Sequence, residues 1–132
     1  MPSYSIGQAA QLLGVSSETV RRWADGGRPA VERDGAGRRA IEGVALAAFA
    51  RERGVGPHAV PEDDVPTSVR NSFVGIVTGV RADDVAAQVE VQSGPHRLVS
   101  LVTREAVEEL GLVVGATVTA RVKSTNVRVD PA

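Results

Sequence analysis

The chain has no cysteine among its 132 residues, which excludes disulfides, thiolate metal sites and a cysteine nucleophile together. Aromatic residues are scarce, at one Trp, one Tyr and two Phe, too few for a mechanism built on stacking platforms. Lysine is almost absent: of fifteen basic residues all but Lys123 are Arg. No apolar run approaches the roughly 20 residues that a membrane span needs. The opening MPSYSIGQAA lacks the basic-then-apolar pattern of a secretory signal. The expectation is a cytoplasmic protein without membrane contact.

What is present is an ordinary globular mixture of 42% apolar and 23% charged residues, enough to build a core. The net charge of -1 speaks against whole-surface nucleic-acid binding but leaves room for a local patch. The charges are unevenly spread: residues 1–56 hold eight Arg against six acids, and residues 57–132 hold six Arg and one Lys against ten acids.

Two blocks of different periodicity flank a proline-rich stretch. In the first, Ser5 and Gln8 form an S-x-x-Q capping box. Ile6, Ala9, Ala10 and Leu13 follow at helical spacing, and Gly14 ends that helix. Ser16 or Ser17 caps a second helix from Glu18 to about Asp25, with Val20 and Trp23 on one face and Gly26-Gly27 and Pro29 as stops. A hairpin is predicted between Val31 and Ile41, turning at Asp34-Gly35. A third helix, roughly Glu42 to Arg53, is expected to bury Val44, Leu46, Ala47 and Phe49.

Residues 54–66 carry three prolines and three consecutive acids, which reads as a linker with a reach of up to about 40 Å if polyproline-like. Beyond it the pattern has period two. Strands are predicted at Phe73–Val80, Val85–Gln92, about Arg97–Val102, Ala116–Val122 and Val127–Val129. A short helix capped by Thr103 runs to Leu110, and Gly111 terminates it. The fold class is therefore α+β in two domains. Residues 1–53 form a mainly helical unit, and residues 67–132 a five-stranded, OB-like barrel with one short helix.

Two short helices joined by a Gly-Val-Ser turn, the second opening with hydroxyls and carrying Arg, suit a helix-turn-helix on double-stranded DNA. Ser17, Thr19, Arg21 and Arg22 would face the groove, with Arg38 and Arg39 reaching phosphates from a wing. Three packed helices with solvated arginines would show the same spacing. In the second block, Ser68-Val69-Arg70-Asn71 and Lys123-Ser124-Thr125 sit at strand ends and offer almost only donors: guanidinium, ammonium, amide and hydroxyls. A fully deprotonated oxyanion, whose oxygens only accept, matches that inventory. A protonated one would leave its own O–H unpaired. Solvated charges at strand ends would again look the same.

The residues IGQAAQLLGVSSETVRRWADGG, with Ala10, Leu13–Ser16, Thr19–Trp23 and Gly37-Arg38-Arg39, closely resemble the winged helix-turn-helix of MerR-like and excisionase-like regulators. That resemblance implies the DNA-contacting roles just named and makes Trp23 a core residue beneath the recognition helix. MerR proteins continue with a long dimerising helix, which is not seen here. Residues 67–130 resemble a Mop domain, the molybdate- or tungstate-binding member of the TOBE superfamily. The resemblance rests on S-x-R-N, Gly75-Ile76-Val77, the segment Thr103 to Gly115, and the closing Val122 to Val127. It implies Ser68, Arg70, Asn71, Lys123, Ser124 and Thr125 as oxyanion ligands, with Ser124 the residue where alanine is common. It also implies sites between subunits of a homo-oligomer.

The combination is similar to ModE-type regulators, whose DNA-binding half is of another helix-turn-helix type. The expected function is a transcription regulator responsive to molybdate or tungstate. An intracellular store or buffer for the anion, with a docking module in front, is the alternative. A single-strand binder would need aromatics, and Phe73 is the sole one in residues 67–130. His58 and His96 lack an acid partner and no metal-ligand spacing appears, so neither an enzyme, a catalytic cofactor nor a cation site is expected.

Overall fold

A computed structural model describes residues 2–53 and 67–132, so the predicted linker 54–66, with His58, lies outside the described residues. The elements run β1 (Ser3–Ser5), α1 (Ile6–Leu13), α2 (Ser17–Asp25), β2 (Glu32–Arg33), β3 (Arg39–Glu42), α3 (Gly43–Arg53), β4 (Asn71–Ala82), β5 (Ala86–Ser93), β6 (His96–Thr103), α4 (Arg104–Leu110) and β7 (Thr117–Val122). A 3-10 turn at Ser124–Asn126 follows. Helices precede an antiparallel sheet, as an α+β chain in two parts should.

The local signals in the first block act as the physics requires. Ser5 Oγ accepts from the Gln8 N–H while Gln8 Oε1 accepts from the Ser5 N–H, at 3.1 and 2.9 Å. Two otherwise orphaned donors at the start of α1 are thereby satisfied. Gly14 takes φ 69° and closes the helix. Ser16, rather than Ser17, caps α2 through the Thr19 N–H. Ile6, Ala9, Ala10 and Leu13 are all buried, and they meet Val20, Ile41, Leu46 and Phe49 in one core. Trp23 packs on Phe49 with ring centroids 5.4 Å apart. The Arg53 guanidinium lies 4.5 Å from the Trp23 centroid, within cation–π range.

One expectation fails here, and one element was not anticipated. Val44 is 38% exposed; the buried face of α3 runs instead through Gly43, Leu46, Ala47 and Ala50, with Phe49 beside them. A glycine gives hydropathy periodicity nothing to register, so the true stripe was hidden by one position. Residues Ser3–Ser5 also form a strand that pairs with β3, Tyr4 opposite Ile41. The small sheet has the order β1-β3-β2.

The second sheet has the order β6-β5-β4-β7, all antiparallel. Alternation along β5 buries Ala87, Val89 and Val91 while Gln88 is exposed and Glu90 half-buried. Thr103 Oγ1 accepts from the Ala106 N–H and starts α4; Gly111 at φ 62° ends it. The fifth strand is a correction. Among the described residues, Val127–Val129 belong to no strand, and Val129 is 91% exposed. A 3-10 turn at Ser124–Asn126 follows Val122, and no ladder among the described residues receives the chain beyond it.

The two parts are in direct contact. Ile76 of β4 is 1% exposed and lies in the core of the first part, with Val114 packed against it. The Tyr4 hydroxyl donates to the Gly115 carbonyl at 2.6 Å and lies 3.0 Å from Thr117 Oγ1. Gly115 has φ 93°, and a Cβ there would fall 2.6 Å from the Gly43 carbonyl carbon. Only two glycines let these backbones meet.

Candidate functional site

The register of β4 against β7 brings the two donor-rich segments to one end of the sheet. Asn71, the first residue of β4, stands opposite Val122, the last of β7. Ser68 and Arg70 therefore enter beside the point where Lys123, Ser124 and Thr125 leave. The Asn71 amide donates to the Val122 carbonyl at 3.2 Å. Arg70 donates to the Thr67 carbonyl at 2.9 Å, and Thr67 Oγ1 accepts from the Val69 N–H. In the turn after β7 the Asn126 N–H donates to the Lys123 carbonyl at 2.8 Å. The turn's own bonds thus begin at Asn126 and do not use the N–H groups of Ser124 and Thr125.

Ser68, Arg70, Lys123, Ser124 and Thr125 are exposed, and Asn71 is half-buried. Their collected chemistry is donation plus positive charge. Arg121, one step inside β7 and 3.3 Å from Ser72 Oγ, adds a further cation. Sequence reasoning missed Arg121; its period-two place in β7, beside the Lys123 cluster, was the signal available.

The second candidate surface is α2 with the β2–β3 hairpin. Arg21 and Arg22 are exposed, and Ser17 is half-buried at the first position of the helix. The Thr19 hydroxyl lies 2.8 Å from Ser16 Oγ and belongs to the cap. Arg38 projects from the hairpin with 81% of its side chain exposed.

Arg39 departs from the expected phosphate-facing role. Its guanidinium donates to Asp25 at 3.0 Å and holds the hairpin against α2. Two residues shape this hairpin, Asp34 of the predicted turn and Arg33, which sequence reasoning passed over. Asp34 Oδ1 accepts from the N–H groups of Ala36 and Arg38, both at 2.9 Å. Those bonds, the one from Arg38 foremost, hold the Asp34 carboxyl below its usual range. Arg33 donates to the Gly37 carbonyl at 2.9 Å.

A third polar cluster lies between the two parts. Glu90 on β5 receives Arg51 from α3, Arg97 at 2.8 Å and the Thr78 hydroxyl at 2.8 Å. Its side chain is 13% exposed. The Arg51 hydrogen bonds, with those from Thr78 and Arg97, pull its carboxyl down to about 2. Among the described residues no group of three His, Asp or Glu is placed to hold a metal ion. No helix among them is long and apolar enough to cross a membrane.

Comparison with known proteins bears on both halves. Residues 67–129 match the TOBE domain family, and residues 3–54 match a helix-turn-helix domain family. Molybdenum-pterin-binding protein 2 of Clostridium pasteurianum is 40% identical over 63 residues, which are 47% of this chain and 93% of that protein. Molybdenum transport protein ModE of Azotobacter vinelandii is 39% identical over 62 residues, 46% of this chain but 23% of ModE. The solved structure of MopII from Clostridium pasteurianum is 37% identical, has a TM-score of 0.47, and spans 50% of this chain and 100% of its own.

Proposed function

We propose, for a chain that belongs to the family of the molybdenum-pterin-binding proteins and carries a helix-turn-helix domain ahead of its TOBE domain, the role of a molybdate-responsive, DNA-binding transcription regulator. The observation that carries this reading is the Asn71–Val122 register, which gathers a carboxylate-free set of donors at one end of a sheet. Arg70 and Lys123 supply charge. Asn71, Ser68, Thr125 and the N–H at Ser124 supply directed donors to the tetrahedral oxygens. Tungstate, with the same charge and shape, fits the same set. The reading is of a binder and not of an enzyme.

A second copy completes the site. The face of the sheet lined by Val89, Val91, Leu98, Val102, Leu112 and Val118 is a concave apolar groove of about 280 Å³. At its rim Val99 is 50% exposed and Leu110 70% exposed. A sheet face of this kind needs another layer; Val107 of α4 and Leu112 pack on part of it, and among the described residues its rim stays uncovered. Pairing through this face supplies the missing side of the anion cluster and sets two recognition helices at a fixed spacing. A single winged unit makes too few contacts for tight, specific DNA binding. Molybdate then acts by preferring one arrangement of the pair over another.

The test joins titration calorimetry with molybdate, tungstate and sulfate to electrophoretic shifts on the chain's own promoter region. Tight molybdate binding that changes DNA affinity is expected. Equal DNA binding with and without the anion would remove the regulator. The 93% coverage of a molybdenum-pterin-binding protein favours one other role, an anion store, which predicts high anion loading by native mass spectrometry with no preferred DNA sequence.

A further inference from the structure

The contacts between the two parts are built rather than incidental, and they occupy a telling position. Tyr4 reaches Gly115 and Thr117 from β1. Ile76 plugs the helical core. Gly43 and Gly115 meet backbone to backbone. Arg51 closes on Glu90, which Arg97 and Thr78 also hold. Ile76 and Thr117 are register partners, and the same two strands run to the Asn71–Val122 pair. The DNA-reading part is thus seated at one end of the β4–β7 ladder and the donor cluster at the other. Five residue steps of about 3.4 Å separate them, or about 17 Å.

We propose that the helix-turn-helix part and the sheet part move as one rigid body, with Tyr4, Arg51 and Glu90 as its positioning residues. Resting on the regulator reading, the anion signal then reaches DNA by displacement of whole protomers. The recognition helix does not swing separately from the sheet that carries it. This reverses the picture of modules on a flexible connection that residues 54–66 suggest as a sequence. A ladder of paired strands transmits displacement because its inter-strand hydrogen bonds restrain φ and ψ along both strands. The seating also has independent fastenings, so loss of one leaves the others in place.

Spin labels test the seating without DNA or anion. The chain has no cysteine, so Gln11→Cys on α1 and Glu109→Cys on α4, both exposed positions, provide the two attachment sites. Labelled chain diluted into excess unlabelled chain reports distances within single chains by pulsed dipolar spectroscopy. A single narrow distance distribution is expected, unchanged when molybdate is added. Arg51→Ala combined with Tyr4→Phe, which spares both cores, is expected to widen that distribution at least about twofold while the circular dichroism of the folded parts persists. A broad or multimodal distribution in the parent, or one that shifts on adding molybdate, overturns the rigid body. A narrow distribution in a chain whose DNA binding ignores molybdate would keep the rigid body and discard the regulator.

Discussion

The two cores of this molecule are built to different degrees of completion. The first is closed by twelve buried residues, one of them, Ile76, lent by the sheet. The second has three, Val77, Val89 and Val91, surrounded by side chains that remain partly open. The second part is the longer of the two, so the difference lies in what covers them. Helices α1 and α3 wrap the first core, whereas α4, with no buried residue, covers the second only in part, through Val107. A unit that completes itself can serve as a reading head. One that stays incomplete is shaped to be finished by something else, and a second copy is the cover proposed above.

The sharpest way to break the comparison is at the seam. Gly115→Val combines left-handed backbone strain with a Cβ pressed on Gly43, and is expected to cost about 3 kcal/mol in urea unfolding. The cost should fall on both parts, since both share the seam. A loss confined to the sheet would show that the parts do not fold as one.

Inside each core the asymmetry should appear directly. Leu13→Ala, at 2% exposure, is expected to cost about 3 kcal/mol. Leu110→Ser, at 70% exposure, should barely change the stability of a dilute chain. It should instead weaken self-association about tenfold, or about 1.4 kcal/mol, by sedimentation. Equal effects of both on folding would make the second core as closed as the first.

Next comes Glu90→Gln, expected to cost about 2 kcal/mol near neutral pH through its charge-assisted bonds. The carboxyl is held at about 2, below its ordinary 4.5. Its contribution is therefore complete above about pH 4.5 and is lost as pH falls toward 2. Stability curves of parent and variant should run parallel above that window and converge within it; parallel curves throughout would remove the linkage. The smallest effects on the fold belong to Arg70→Ala and Lys123→Ala. Each should weaken molybdate binding about tenfold or more in calorimetry, while the melting temperature stays within about 2 °C. Unchanged affinity in both would dissolve the site.

Much of this was legible in the chain because it depends on short-range chemistry. Ser5 with Gln8, Gly14, Thr103 and Gly111 mark helix ends by bonds to neighbours a few residues away. The alternation of Ala87, Val89 and Val91 marks a buried face. The donor clusters were legible as residue types, but their meeting depends on which strands pair, and Asn71 and Val122 lie 51 positions apart in the chain. What escaped was either too short or too distant. Three residues, Ser3–Ser5, carry no period. Gly43 hid the face of α3. Val127–Val129 have strand-forming residues but join no edge among the described residues. The seam at Tyr4, Gly43, Gly115 and Glu90 depends on contacts between the two blocks, and no local pattern announces those.

Lys123 has one more consequence. It is the chain's single lysine, and it lies exposed at the turn that follows β7. Acylating reagents thus find one side-chain amine in the chain, at the proposed anion site. That amine is a built-in tag: its shielding on adding molybdate to the purified protein would report occupancy of the proposed site.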